Sequence, residues 1–195
     1  MKRLLDILLV SLFLWLILPL IFLGSLLIFM FDGLPIFFRQ HRVGRFGKDF
    51  QLIKFRTMTF QPEKSIASFD LGSTDRVTVI GSLFRRTKLD EVPQFWNVIR
   101  GDMSLVGPRP EVRKWVNIYP KRWEIVHRVR PGITDPASIL YRNEEHILAN
   151  SSDPEKSYRE KVLPHKLSLY EKYVENMSFF GDLKILLQTF SALIK

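Results

Sequence analysis

From Ile7 to Phe31 the chain carries no charged side chain, and Leu, Ile and Phe dominate those 25 residues. A helix of about 20 apolar residues is enough to cross a hydrocarbon core of about 30 Å. The run is longer than the apolar region of a secretory signal, and no small-residue cleavage site follows it, so a permanent membrane segment is expected. Basic residues flank both ends, Lys2 and Arg3 before and Arg39 and Arg42 after, so charge asymmetry selects no orientation for a crossing. Pro19 lies near the middle, with Gly24 five residues on. A proline there removes one backbone donor and crowds the preceding turn, which a kinked spanning helix tolerates. Hydropathy alone predicts one crossing.

From Asp32 onward the composition is that of a globular domain, and 195 residues suit one such domain plus an anchor. The absence of cysteine excludes disulfides and thiolate chemistry, and the histidines His41, His127, His146 and His165 show no ligand spacing. The formal charge of +9 favours polyanionic partners: nucleic acid, anionic lipid headgroups or phosphorylated substrates. No aromatic-basic RNA motif or DNA-reading motif is visible, so nucleic acid is not expected.

Phe50 to Met58 reads as a strand between Gly47 and Pro62, which puts Lys54 and Arg56 on one face. Residues 61–75 read as a loop, and Asp90 to Arg100 as a helix closed by Gly101, with Pro93 in its first turn. Gly101 to Pro110 reads as a loop, followed by two short helices separated at Pro120 and a turn at Pro131-Gly132. Pro154 to Tyr173 reads as helix in two pieces around Pro164. After Ser178, an N-cap, Phe179, Leu183, Leu186, Leu187, Phe190 and Ile194 share one face of a final amphipathic helix. Core packing and an interfacial position on a membrane explain that helix equally well.

Asp90 and Glu91 are adjacent carboxylates at the expected helix start, with Arg85, Arg86 and Lys88 before them and Asp102 and Arg109 after. Alone, such a pair is ordinary helix capping. Among cations it suits a carboxylate nucleophile acting on a diphosphate, where anion–anion repulsion must be neutralised by cations and usually a divalent metal. Mg²⁺ typically takes one or two carboxylates plus substrate phosphate. Arg109 stands between Pro108 and Pro110, and a stiffened loop suits bidentate phosphate recognition; a solvent-facing Arg on a structural turn fits as well.

The run Arg85-Arg86-Thr87-Lys88-Leu89-Asp90-Glu91-Val92-Pro93-Gln94, then Asn97, then Gly101 to Pro110, closely resembles the monotopic phosphoglycosyltransferases, or bacterial sugar transferases. Lys54 to Met58, Arg39 to Gly47 and Pro131-Gly132-Ile133-Thr134 extend the match over nearly the whole chain, which has the length of the small, catalytic-core members. The resemblance implies an α+β, mostly helical fold. An anchor over residues 1–31, re-entrant and broken at Leu18-Pro19, precedes a membrane-surface catalytic domain over 32–195, with amphipathic helices and a few short strands. It implies transfer of a sugar 1-phosphate from a UDP-sugar to a polyprenyl (undecaprenyl) phosphate with release of UMP. Asp90 would be the covalent nucleophile and Glu91 its assistant, through Mg²⁺ held by both carboxylates or as a base. Lys54, Arg85 and Arg109 would bind substrate phosphates, with Arg56 grouped alongside them. The place of action would be the cytoplasmic face of a bacterial inner membrane, in contact with membrane lipids; whether as a homodimer is left open. The basic residues at both ends of the apolar run and Pro19 at its middle favour the bend over the crossing. Many members continue Pro-Gly-Ile-Thr with glycine and an aromatic, whereas Asp135-Pro136-Ala137-Ser138 stands here, which leaves the sugar undetermined. The competing readings are a glycosyltransferase without a covalent intermediate and a non-catalytic membrane adaptor.

Overall fold

The computed structural model describes residues 2–59 and 76–194; the loop expected over 61–75 lies outside the described residues. The described residues are mostly helical, with a few short strands. They fall into two compact units. One contains residues 2–40, 51–59 and 76–101, and the other residues 41–50 and 102–194.

In the first unit the apolar segment forms helices α1 (Lys2–Leu12) and α2 (Leu14–Asp32). The interruption is at Phe13, not at the expected Leu18-Pro19. Phe13 leaves helical geometry (φ −95°, ψ 5°), while its carbonyl accepts from the amides of both Leu16 and Ile17. Leu18 and Pro19 lie inside α2, which continues through them. A proline within a helix removes a single ladder donor, which an apolar helix tolerates. Helix α2 is long and apolar enough to cross a membrane and is mostly unburied. Its covered residues are Ile17, Gly24 and Ile28, and Ile28 joins Phe55 and Phe84 in a small core.

Strands β1 (Phe37–Val43) and β2 (Asp49–Phe55) pair in a two-stranded sheet. The expected strand over 50–58 is thus shorter, and Arg56 lies beyond its end. Helix α3 (Val79–Thr87) starts at Thr78, whose hydroxyl accepts from the Gly81 amide. Gly81 packs so close to the chain at Thr57 that a Cβ would fall 2.1 Å from the Thr57 carbonyl oxygen. Lys88 then takes a left-handed conformation (φ 59°), the chain makes a 3-10 turn over Leu89–Glu91, and helix α4 (Gln94–Arg100) follows. Gly101, at φ 91°, closes α4 as its residue type suggests.

In the second unit the supposed loop over 101–110 contains strand β3 (Ser104–Val106), and the supposed turn at Pro131-Gly132 opens strand β4 (Gly132–Thr134). The two run parallel, Ser104 opposite Gly132 and Val106 opposite Thr134. Helices α5 (Arg113–Val116) and α6 (Pro120–Val126) are separated at Pro120 as expected. Next come α7 (Pro136–Leu140), α8 (Glu144–Ala149) and α9 (Pro154–Ser157). A π-helical turn over Tyr158–Val162 leads into α10 (Leu163–Glu175), so the helical pieces meet around Pro164 as expected, with the proline in the first turn of α10. The core of this unit gathers Trp115, Trp123, Tyr158, Leu163, Leu167 and Tyr170. His127 stacks on Trp123, and burial, assisted by the Arg113 charge, lowers its pKa to about 4. That burial favours the neutral imidazole.

The final helix, α11 (Phe179–Ile194), turns Asp182 and Ile185 inward. Asp182 accepts from the Tyr173 hydroxyl at 2.8 Å. Phe179, Leu183, Leu187 and Phe190 are exposed. These four apolar side chains thus point outward and are not part of this unit's core.

Candidate active site

The first unit brings Lys54, Asp90 and Glu91 together. Sequence makes α4 short and buried on one face, where Asn97 is fully covered. The Asn97 side chain accepts from the Ile53 amide (3.1 Å) and donates to the Gln51 carbonyl (2.8 Å). It thereby pairs with the backbone of β2 as a neighbouring strand would, and fixes that strand's register against α4. The next residue facing the same helix is Lys54. Its ammonium lies 2.8 Å from Glu91 Oε1 and 3.9 Å from Asp90 Oδ2. Both carboxylates are more than nine-tenths buried, so the lysine charge acts at reduced dielectric and is worth more than at a surface.

This corrects the expected origin of the dyad's stabilisation. Asp90 and Glu91 belong to the 3-10 turn ahead of α4, and Pro93 is the cap of α4. A lysine, Lys54, stands beside both carboxylates. Leu89, Asp90 and Glu91 are held between two backbone hydrogen bonds, Glu91 amide to Lys88 carbonyl and Val92 amide to Leu89 carbonyl. The turn is a rigid mount for two acids.

Arg85, in the last turn of α3, donates to the Thr57 hydroxyl at 3.0 Å, beyond the end of β2. Arg56 does not share a face with Lys54. It is buried and donates to the carbonyls of Asp32 (2.6 Å), Gly33 (2.8 Å) and Leu34 (3.1 Å), closing the C-terminus of α2. A guanidinium at a helix C-terminus satisfies orphan carbonyls and complements the dipole, so Arg56 is a structural residue. Arg109 belongs to the second unit, where it is half-buried and its charge acts on the buried Tyr170 hydroxyl. Its loop is held by Pro131 to Thr134: the Gly107 amide donates to the Thr134 carbonyl and the Gly132 amide to the Pro108 carbonyl. The backbones approach so closely that a Cβ on Gly132 would fall 2.1 Å from the Gly107 nitrogen.

Asp135 caps α7 through the amides of Ala137 and Ser138 (2.6 and 3.0 Å) and the Ser138 hydroxyl. Burial raises its pKa, opposed by those Ser138 contacts. The Asp-Pro-Ala-Ser departure is therefore a well-formed helix start. Two residues quoted in the sequence only within a motif emerge as individual contributors. Asn97 is the clamp just described. Gln94, also buried, places its Nε2 without a hydrogen-bond acceptor one turn after the dyad, and a buried donor in that state suits an incoming oxygen.

Two adjacent carboxylates are hard oxygen donors of the kind Mg²⁺ takes, with substrate phosphates completing its shell. Among the described residues no group of three His, Cys, Asp or Glu gathers as a protein-only metal cage. The two carboxylates are of the type Mg²⁺ accepts, and Asp90 and Glu91 would be the residues to hold it.

A buried acid dyad beside a lysine, in a chain with one helix long and apolar enough to cross a membrane, has the residues a group-transfer enzyme needs. The chain belongs to the bacterial sugar transferase family, whose model matches residues 1–195. It is 41% identical over 157 residues to the uncharacterized sugar transferase EpsL of Bacillus subtilis, covering 80% of this chain and 69% of that one. It is 34% identical over 206 residues to the exopolysaccharide production protein ExoY of Rhizobium meliloti, covering 98% and 84%. It is also 33% identical over 198 residues to the UDP-glucose:undecaprenyl-phosphate glucose-1-phosphate transferase of Caulobacter vibrioides, covering 99% and 69%.

Removing the lysine charge should expose the like-charge repulsion in the dyad. In Lys54→Met, turnover is expected to fall by at least about tenfold, since a charged hydrogen bond contributes about 1.5–3 kcal/mol. Unchanged turnover in Lys54→Met would make the Lys54 contact incidental.

Proposed function

We propose that the chain transfers a sugar 1-phosphate from a UDP-sugar to a polyprenyl phosphate through a covalent Asp90 intermediate. The observation that carries this reading is the buried Asp90–Glu91 pair with Lys54 within 2.8 and 3.9 Å of its two carboxylates, in a chain whose relatives include a UDP-glucose:undecaprenyl-phosphate glucose-1-phosphate transferase. In the first step an Asp90 carboxylate oxygen attacks the β-phosphorus. The bond from that phosphorus to the bridging oxygen breaks, and UMP leaves. In the second step a phosphate oxygen of the polyprenyl acceptor attacks the same phosphorus, and the Asp90 carboxylate is regenerated as the polyprenyl-diphosphate sugar departs. Splitting one displacement into two is the ordinary gain of covalent catalysis.

Lys54 offers positive charge to the dyad and to the diphosphate. Arg85 and Arg109 are proposed as further phosphate-binding residues, and Glu91 as the assistant of Asp90. Mg²⁺ on Asp90 and Glu91 would neutralise charge on the transferring phosphoryl group.

We place the protein at the cytoplasmic face of a bacterial inner membrane, with a re-entrant apolar segment. Two contacts support this. Arg3 donates to the carbonyls of Val98 and Ile99 (2.8 Å to the latter), in the last turn of α4. Asp32, at the other end of the segment, accepts from the Thr78 hydroxyl at 2.8 Å. Both ends of the apolar run are thus tied to the unit that contains the dyad. Helix α1 (Lys2–Leu12) rises about 16 Å, so Phe13 cannot lie a full hydrocarbon thickness from the Arg3 anchor.

Three measurements test these assignments. Protein incubated with UDP-sugar labelled at the β-phosphate should retain label, and Asp90→Asn should abolish both label and turnover while preserving the fold. Release of UDP in place of UMP would identify a glycosyltransferase without the covalent step. Excess chelator should stop turnover and Mg²⁺ restore it; turnover unaffected by chelation would leave the cations Lys54, Arg85 and Arg109 to neutralise the charge unaided. For topology, the cysteine-free chain takes single substitutions Lys2→Cys and Lys48→Cys. Neither should react with an impermeant maleimide until cells are opened, and labelling of Lys2→Cys alone from outside would establish a crossing.

A further inference from the structure

The loop Gly107-Pro108-Arg109-Pro110 cannot hold itself with its own amides, because neither proline has an N–H to donate. It is held from outside, on both sides of Arg109. Ahead of the arginine, the Gly107 amide donates to the Thr134 carbonyl and the Pro108 carbonyl accepts from the Gly132 amide, each at 3.0 Å. Behind it, the end of β1 makes both contacts. Arg42 Nη1 donates to the Pro110 carbonyl at 3.3 Å, and the Val43 amide donates to the Glu111 carbonyl at 2.9 Å. Every residue from Met103 to Glu111 is buried except Arg109, which is half-buried. The loop is a mount that presents one guanidinium.

The lock on this mount is the Glu111 side chain, which is buried. Its Oε1 accepts from Arg42 Nη1 at 2.9 Å and from the Val112 amide at 3.0 Å, and its Oε2 accepts from the Tyr158 hydroxyl at 2.7 Å. Tyr158 is fully buried at the start of the π-helical turn, edge-on to Trp115 with ring centroids 4.9 Å apart. Burial and the Glu111 charge raise the Tyr158 pKa, so the hydroxyl keeps its proton and donates. The nearby ammonium of Lys166, 5.3 Å from the Tyr158 ring, is paired with Glu144 at 2.8 Å. A buried ion pair is a poor source of stability, since well-packed apolar residues of similar volume do as well; its best-attested use is to select one geometry. Here that geometry joins β1, the π-helical turn and the backbone two residues after Arg109.

We propose that Glu111, held between Arg42 and Tyr158, is a positioning residue for Arg109 and presets its guanidinium for a substrate phosphate. The proposal rests on the transferase reading above and on the assignment of Arg109 to phosphate. A guanidinium fork recognises phosphate through directed, paired hydrogen bonds, so its binding depends on where its backbone is rooted. Pro110 restricts Arg109 to extended backbone, and the clamp fixes that extended segment in place. Tyr158 and Arg42 touch no substrate in this account; they act through Glu111, and Glu111 acts through the loop.

A double-mutant cycle separates positioning from packing. In Glu111→Gln and in Tyr158→Phe, kcat/KM should fall by about tenfold or more, the scale of a lost hydrogen bond to a charged group. In a ping-pong reaction each substrate's kcat/KM reports its own half-reaction. A fall for UDP-sugar therefore assigns Arg109 to the donor diphosphate, a fall for polyprenyl phosphate to the acceptor, and a fall for both to the group in transfer. In the already impaired Arg109→Ala background the same substitutions should change kcat/KM by less than about twofold, the margin of additivity, while lowering the melting temperature as much as they do in the wild type. An equal loss of activity in both backgrounds, or none in either, would overturn the proposal and leave the clamp a packing feature. Wild-type turnover in Arg109→Ala would overturn the phosphate assignment and the proposal with it, and the transferase reading would stand on UMP release. No UMP from the wild type would overturn that reading and the proposal together. Should Glu111→Gln fail to fold, Tyr158→Phe, which keeps the ring against Trp115, carries the cycle. Should Arg109→Ala turn over too slowly to measure, the Kd values of UDP-sugar and of polyprenyl phosphate in an Asp90→Asn background decide the same cycle by the same criteria.

Discussion

The first unit depends on the Asn97 amide. Strand β2 has β1 on one edge; on the other, the Ile53 amide and the Gln51 carbonyl meet one buried side chain instead of a further strand. A buried strand edge left unpaired would cost the desolvation of both groups. The clamp satisfies them and, by doing so, sets which residue of β2 stands next to the dyad. Shifting the strand by one position would turn Lys54 away and bring an apolar neighbour to Glu91.

Charge in this unit is divided between structure and chemistry. Arg3 and Arg56 are spent on carbonyls at helix C-termini, one on α4 and one on α2. They tie the apolar segment to the unit at both ends. Lys54 is directed to two acids. These cations are chemically similar and differ in what the backbone puts within their reach. A guanidinium with several donors suits a cluster of carbonyls, whereas a single ammonium suits a pair of carboxylates.

In the second unit the glycines of two motifs have one joint purpose. Gly107 and Gly132 face each other at a distance that admits no side chain on either, so the Val-Gly-Pro-Arg-Pro loop and the Pro-Gly-Ile-Thr stretch are halves of one parallel pairing. Helix α11 uses a polar residue, Asp182, as its inward anchor and keeps its phenylalanines outside.

Much was legible in the sequence for physical reasons that are local. A run of uncharged residues must leave water, Gly101 must end a helix, Pro120 must separate two, and adjacent Asp and Glu amid cations must repel or be neutralised. The motif spacing carried the family. What the chain could not disclose by itself depended on contacts between distant segments. Helical periodicity cannot say whether the apolar stripe of α11 faces in or out, because both placements have the same period. Alternation along a strand put Lys54 and Arg56 on one face, but β2 stops at Phe55, and the carbonyls of Asp32, Gly33 and Leu34 then captured Arg56. Proline marked Leu18-Pro19 as the weak point of the apolar helix, yet the helix continues through it and leaves helical geometry at Phe13. Sequence determined which residue types were available for chemistry; the tertiary structure decided which of them meet, since that choice is made by backbone groups many residues away competing for the same few side chains.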